Sequence, residues 1–348
     1  MKKITIIVTC ACSIVFPSIV NCLHQNSKYQ FYIIGVDVQP KGLGSLLSDC
    51  FYQVPLGSDE EAYIKSLIEI CQKETVDIIL PISDEENLSL SKNIELFREK
   101  KIKLLVNEYK ITRLAFNKES TLVFLHENNI QTPQWQIAKN INDLDEKIME
   151  LGYPEKEVVI KPIMARGSRG FHIIKSDFNE VEQFLSRDSI FMTKETVLKI
   201  LSNATDLIPR LLLMEYLPGH SYSVDILADQ GKMLACLPHR RIGYRWGRLN
   251  WAIIENNQAV LEMCQSLVRI FKFDNLVNIE LGYSNNNTPL LIEINPRASA
   301  TLALNALSGI DILHHAIDLK LQGECNLPNL FHEVEYIIGD ANYSLNKL

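Results

Sequence analysis

The stretch Val277–Arg297, VNIELGYSNNNTPLLIEINPR, constrains this chain more than any other. Two apolar runs that carry acids flank a polar turn, which is the pattern of a β-hairpin. Strand side chains alternate faces with period two, so Asn278 and Glu280 share one face while Val277, Ile279 and Leu281 take the other. Glu293 and Asn295 likewise oppose Ile292 and Ile294. A hairpin centred between Asn286 and Asn287 sets Glu280 directly opposite Glu293. Like charges in a cross-strand pair are destabilising unless something neutralises them, and a divalent cation does so. Oxygen ligands from Glu280, Glu293 and Asn295 suit Mg²⁺ (or Mn²⁺), which prefers one or two protein carboxylates and completes its octahedron with water and phosphate oxygens. Asn-Pro-Arg then closes the strand with a fixed cation, Arg297. The competing reading is a solvated polar face of an edge hairpin, with no chemistry.

At 348 residues the chain exceeds a single small core, and two or three domains are expected. A net charge of -7 argues against a nucleic-acid partner; the one basic cluster is Arg240–Arg248. The eight cysteines show neither a CxxC pair nor a Cys/His spacing that suggests zinc, so they read as reduced thiols. MKKITIIVTCACSIVF begins as a secretory signal does, but Pro17 interrupts the run and Ile4–Val8 makes a good first strand. No apolar run is long enough to span a membrane. The expectation is a cytoplasmic protein with no membrane partner, a dimer by default.

In chain order, Ile4–Val8, a helix to about Gln25 and the strand Phe31–Val38 with an acid at its end open a doubly wound parallel sheet. The turn between them, Thr9–Ser13, lacks every glycine of a dinucleotide fingerprint. After the loop PKGLGSLLSD come a brief strand FYQVP, a helix Asp59–Lys73, a strand Val76–Pro81, a helix Asp84–Lys100 and a strand Ile102–Val106. Asn117 opens a helix to about Asn128. Strands at Trp135–Ala138, Glu157–Pro162 and Phe171–Ile174, with helices at Asp143–Leu151 and Phe178–Leu185, suggest an α+β module. A third segment starts at the strand Leu211–Tyr216 and continues through Lys232–Leu237, a helix Ala259–Phe271, the hairpin, and a long amphipathic stretch Ser299–Leu321 interrupted by Gly309. The last 25 or so residues carry no readable signal.

Two further stretches suggest ligand chemistry. In Arg166-Gly-Ser-Arg-Gly170, glycine lets backbone N–H groups approach phosphate oxygens, and Lys161 on the preceding strand adds a point charge. Gly167, Ser168 and Gly170 are the candidates, against a plain hairpin turn. Met214-Glu-Tyr-Leu217 ends a strand whose backbone can meet the edge of an adenine ring, or it is simply a core strand. His172, His239, His314 and His315 read as packed or surface residues.

The order of Lys118 in NKEST, Lys161 in VVIKP, MARGSRG, LLLMEYLPGHSYSVD, VNIELGY and LIEINPR resembles the ATP-grasp superfamily, in the branch of the carbamoyl-phosphate synthase large-subunit modules. The likeness covers roughly residues 1–320, and GVDVQP, YQVP and DIILPISDEE follow the family's leading domain. It implies an N-terminal doubly wound parallel-sheet α/β domain (1–110), then two α+β subdomains of ATP-grasp type, one with the glycine-rich lid (111–210) and one with the metal site (211–348). It implies ATP between the two subdomains, with Lys118 and Lys161 on its phosphates. Met214, Glu215, Tyr216 and Leu217 would hold the adenine, with Asp225 on the following strand in the same nucleotide set. Arg297 would stabilise the transferring phosphoryl group. Within PHRRIGYRWG, where relatives place an arginine over the acyl phosphate, Arg240 and Arg241 alternate faces and Arg241 is favoured. Ser221 stands where the family often has an acid. The implied activity joins a small-molecule carboxylate, activated as an acyl phosphate, to an amine. The alternatives are a bicarbonate-phosphorylating module and a nucleotide-binding regulator without turnover.

Overall fold

A computed structural model describes residues 1–164, 169–177, 179, 181, 185, 190–203, 210–245, 248–328 and 330–339. Gly167 and Ser168 of the expected glycine loop lie outside the described residues, as does most of the helix expected over Phe178–Leu185.

Five parallel strands, β1 (Lys2–Val8), β2 (Tyr29–Asp37), β3 (Cys50–Gln53), β4 (Ile78–Leu80) and β5 (Lys103–Leu104), lie in the order β3-β2-β1-β4-β5. Their near-continuous apolar runs follow from burial on both faces. Ile4, Ile6 and Val8 pack toward the helix Phe16–His24, while Ile7 packs with Tyr63 and Leu67 of the helix Glu60–Glu74 on the opposite face. This is the doubly wound sheet expected. Two local details differ. A short helix, Leu43–Leu47, sits in the expected loop. The helix Asp84–Lys100 breaks at Asn93 into Asp84–Lys92 and Ile94–Glu99, because the Asn93 side chain donates to the Ser89 carbonyl (2.9 Å) and to Glu60 (3.1 Å).

The second sheet has the order β6-β10-β7-β8-β9, built from β6 (Trp135–Ala138), β7 (Val158–Pro162), β8 (His172–Ile174), β9 (Phe191–Met192) and β10 (Leu211–Glu215). The strand grouped from sequence with the residues after it, β10, therefore pairs instead with β6 and β7. LLLME suits that central place: Leu211 and Leu213 face one core, Leu212 and Met214 the other.

The third sheet, in the order β15-β14-β11-β12-β13-β16, comprises β11 (Ser221–Asp229), β12 (Lys232–Arg245), β13 (Arg248–Ile254), β14 (Leu276–Tyr283), β15 (Pro289–Asn295) and β16 (Val334–Ile337). The strand expected at Lys232–Leu237 thus runs on through the basic segment to Arg245, and β13 and β16 were not expected. One face of this sheet packs Val277, Ile279 and Leu281 under the helix Gln258–Phe271. The other carries Leu227, Leu237 and Leu276 into a core shared with the first sheet, and it is covered by a 3₁₀ segment Leu302–Ser308 and a helix Ile312–Gln322. Those two pieces separate at Gly309, whose φ of 89° lies in the left-handed region that glycine adopts freely.

Candidate active site

The hairpin reaches its expected pairing by an unexpected route. Nearest the turn, Tyr283 pairs with Pro289, Gly282 with Leu290 and Leu281 with Leu291, a register centred on Asn286. Continued unbroken, it would set Glu280 against Ile292 and turn Glu293 onto the face of Ile279, into the apolar core. Ile292 instead bulges, and beyond it Glu280 pairs with Glu293 and Asn278 with Asn295. The Ile292 carbonyl accepts from Lys161 Nζ at 3.0 Å.

Cations close on both acids. Lys118 Nζ lies 3.3 Å from Glu293 Oε1, and Arg241 Nη2 lies 2.8 Å from Glu280 Oε1. Lys118 is the first residue of the helix Lys118–Glu127, whose Asn117 cap accepts from the Ser120 N–H at 2.9 Å. Arg241 and its neighbour do alternate: Arg240 turns the other way, to Glu255 at 2.8 Å. Lys161 is 4% exposed. Burial pushes its ammonium down to about 8, with Glu293 and Glu280 opposing that shift and Lys118 adding to it. The two glutamates respond unequally. Burial works against charge on Glu280, but Arg241, with Lys161 and Arg297 behind it, holds its carboxyl below the usual range. Burial raises Glu293, and Lys118 and Lys161 offset this only in part. An all-oxygen donor set opposed by cations within ion-pair distance fits a hard divalent ion, which would take the carboxylates and free the cations for phosphate oxygens.

Two residues expected at the ligand, Arg297 and Asp225, are engaged by protein groups. Arg297 is held by the first domain: Nε and Nη2 meet the two Asp84 oxygens at 2.6 and 3.3 Å, and Nη1 donates to the Ala298 carbonyl at 2.8 Å. Asp225 is 2% exposed and engaged on both oxygens. Oδ1 accepts from Asn278 (2.9 Å), and Oδ2 accepts from Thr301 (2.8 Å) and Asn305 (3.0 Å). Both oxygens thus tie the hairpin to the segment Ser299–Asn305. The same network extends to His239, which is wholly buried between Asn305 (2.8 Å) and Tyr336 (2.7 Å), a packed histidine as expected. Ser223 completes it, accepting from Asn278 at 2.9 Å.

On the second sheet, Met214 is a core side chain, and the N–H groups of Glu215 and Tyr216 go to the Gln134 and Glu157 carbonyls at 2.9 and 3.2 Å. The Glu215 carboxylate accepts from the Gln134 N–H at 3.1 Å. Leu217 packs over Gly282, where a Cβ would sit 3.0 Å from it, and so joins this strand end to the hairpin. Gly170 has φ 73°, and a Cβ there would come within 2.9 Å of Pro162 at the end of the Lys161 strand. Asp84 and the bulge at Ile292 were missed from sequence. Asp84 has a readable signal, an acid in a first helical turn just after a parallel strand; the bulge has none.

Residues 208–337 match the family described as ATP-grasp in the biosynthetic pathway with Ter operon, and residues 7–105 match the PylC-like N-terminal domain. An ATP-grasp domain thus follows a PylC-like N-terminal domain. The carbamoyl phosphate synthase large chain of Clostridium acetobutylicum is 22% identical over 290 residues, 79% of this chain and 25% of that one. The chain thus spans about a quarter of that relative's length. An N5-carboxyaminoimidazole synthetase from Staphylococcus aureus, solved with ADP, superposes with a TM-score of 0.67 at 17% identity, covering 95% of this chain and 80% of the other. An L-amino acid ligase from Bacillus licheniformis does so with 0.66 at 14%, covering 92% and 75%. No helix among the described residues is long and apolar enough to cross a membrane.

Proposed function

We propose that this chain is an ADP-forming ligase that uses ATP to phosphorylate a carboxylate and joins the resulting acyl group to an amine. The observation that carries the reading is the opposed pair Glu280 and Glu293, placed on one face by a bulge and met there by Lys118, Lys161 and Arg241. Phosphoryl transfer asks for charge neutralisation and positioning more than for covalent help, and that face supplies both. Glu280, Glu293 and Asn295 would hold Mg²⁺ (or Mn²⁺), which neutralises charge on the transferring phosphoryl group when bound. Lys118 and Lys161 would then turn to phosphate oxygens, and Gly167, Ser168 and Gly170 would belong to the lid loop. Arg241 would face the acyl phosphate once Glu280 turns to the ion. Arg297 would act from its Asp84 pairing, adding positive potential behind both carboxylates. Met214–Leu217 would seat the adenine through backbone and packing rather than through the Glu215 carboxylate. Likeness to carbamoyl phosphate synthase supports bicarbonate as a second carboxylate to test.

Incubation with ATP and Mg²⁺ against carboxylic acid pools, with and without amines, tests the reading through ADP and phosphate release. Release that needs both an acid and an amine is expected. Release with bicarbonate alone favours the second substrate, and nucleotide binding without release under any condition overturns the ligase.

A further inference from the structure

The first domain also meets the helix Ile312–Gln322, which covers the third sheet, through the helix Phe16–His24. Cys22 on the earlier helix is 4% exposed, and its thiol donates to Asp311 Oδ2 at 3.2 Å, from a partner 289 residues away in the chain. His314 Nδ1 lies 2.8 Å from the same oxygen. The three atoms, a sulfur, an oxygen and a nitrogen, all lie within 4.8 Å of one another.

Capping a helix accounts for only part of this arrangement. The cap needs one acceptor, and Asp311 Oδ1 supplies it to the His314 N–H at 3.0 Å. That bond also fixes the carboxylate, so that Oδ2 is turned to the thiol and the ring. A thiol is a weak donor, and among the described residues no lysine or arginine pairs with Asp311. The His314 ring is held by stacking on Phe31, with centroids 6.4 Å apart and planes 8° apart. Its Nε2 is buried without a partner, which leaves Nδ1 as the ring's one polar contact. Cys22 and Phe31 belong to the same apolar core as Leu23, Ile312 and Leu313, so little water competes for the three groups.

The spacing suits a tetrahedral ion. Zinc bonds thiolate sulfur at about 2.3 Å and imidazole nitrogen or carboxylate oxygen at about 2.0 Å, so its ligand atoms sit about 3.3–3.8 Å apart. The Sγ–Oδ2 and Nδ1–Oδ2 separations fall short of that by about half an ångström or less, which small side-chain rotations supply. Sulfur and imidazole also exclude Mg²⁺, which takes oxygen. Asp311 and His314 share one helical turn, whereas the thiol arrives from another domain, so no zinc spacing shows in the sequence.

We propose that Cys22, Asp311 and His314 bind Zn²⁺, with water in the fourth position and the thiol proton released to solvent. The ion staples the first domain to the helix that covers the third sheet. Its ligands are none of the hairpin's, and the site does not rest on the ligase reading.

Titration of the metal-stripped full chain with Co²⁺ and then Zn²⁺, in excess Mg²⁺ to fill oxygen-only sites, tests it. One equivalent of Co²⁺ should enter with a thiolate-to-metal charge-transfer band, and one equivalent of Zn²⁺ should displace it and raise the unfolding midpoint. Cys22→Ser should abolish the band. His314→Gln keeps the backbone N–H of the cap and should weaken Zn²⁺ binding by about a hundredfold or more; it serves as the test if Cys22→Ser fails to fold. No uptake, uptake without the band, or uptake and band indifferent to both variants, which would put the ion on other cysteines, overturns the proposal.

Discussion

The same face of the third sheet carries two buried acidic centres, neighbours in register, that solve one electrostatic problem in different ways. Ser223 pairs with Glu280, and two residues along the same strands Asp225 pairs with Asn278. Asp225 is neutralised by short side chains that donate neutral hydrogen bonds, and it is sealed from solvent. Glu280 and Glu293 are held by Arg241 and Lys118, long cations; Lys118 is buried, while Arg241 and both acids remain partly exposed. A carboxylate satisfied by fixed neutral donors is architecture. One balanced by detachable cations can exchange them for a ligand.

The largest effect should follow from breaking the closed centre. Asp225→Ala removes the buried acceptor that Asn278, Thr301 and Asn305 share and should cost about 3–5 kcal/mol of stability, read from urea unfolding. A loss of turnover at unchanged stability would instead make Asp225 a ligand-facing group. Glu280→Gln should do the reverse, cutting kcat about a hundredfold or more while the urea midpoint barely moves. If both variants behave alike, the distinction between the two centres fails.

The cations sharpen it further. With Lys161 at about 8 in the native state and near 10.5 when unfolded, the unfolded chain binds more protons between those values. Stability of the nucleotide-free protein should therefore rise with pH through that window. Bound phosphates favour the charged amine, so MgADP should bind more tightly as pH falls through about 8. Lys161→Met should flatten both profiles, measured by calorimetry. The smallest effect belongs to Arg240→Ala. Its pair with Glu255 lies on the sheet's other face, is partly exposed, and should be worth about 1 kcal/mol or less, with turnover intact.

Legibility from sequence followed the same division. Period-two alternation was enough to place Asn278, Glu280, Glu293 and Asn295 together, because the core on the other face fixes which side is apolar. The parallel sheet followed from its apolar runs and short turns. Ile292 was invisible, since an extra residue in one strand leaves the local composition unchanged. The partner of Arg297 was also invisible, because Asp84 lies 213 residues away and only packing of the first sheet on the third brings them together. His239 was legible as a packed histidine but not as part of the support for Asp225. β13 and β16 were missed because RLNWAII and VEYI are short, and one adjoins a basic run that reads as loop. Gly170 was legible as a required glycine, while its neighbours in that loop lie outside the described residues.

A structure of the chain with ADP and Mn²⁺, phased for the metal's anomalous signal, tests the central claim most directly. The account predicts a metal peak between Glu280 and Glu293, with Asn295 in reach and Lys118 and Arg241 withdrawn from the acids toward phosphate oxygens. A peak elsewhere, or nucleotide bound with both ion pairs still closed, would contradict it.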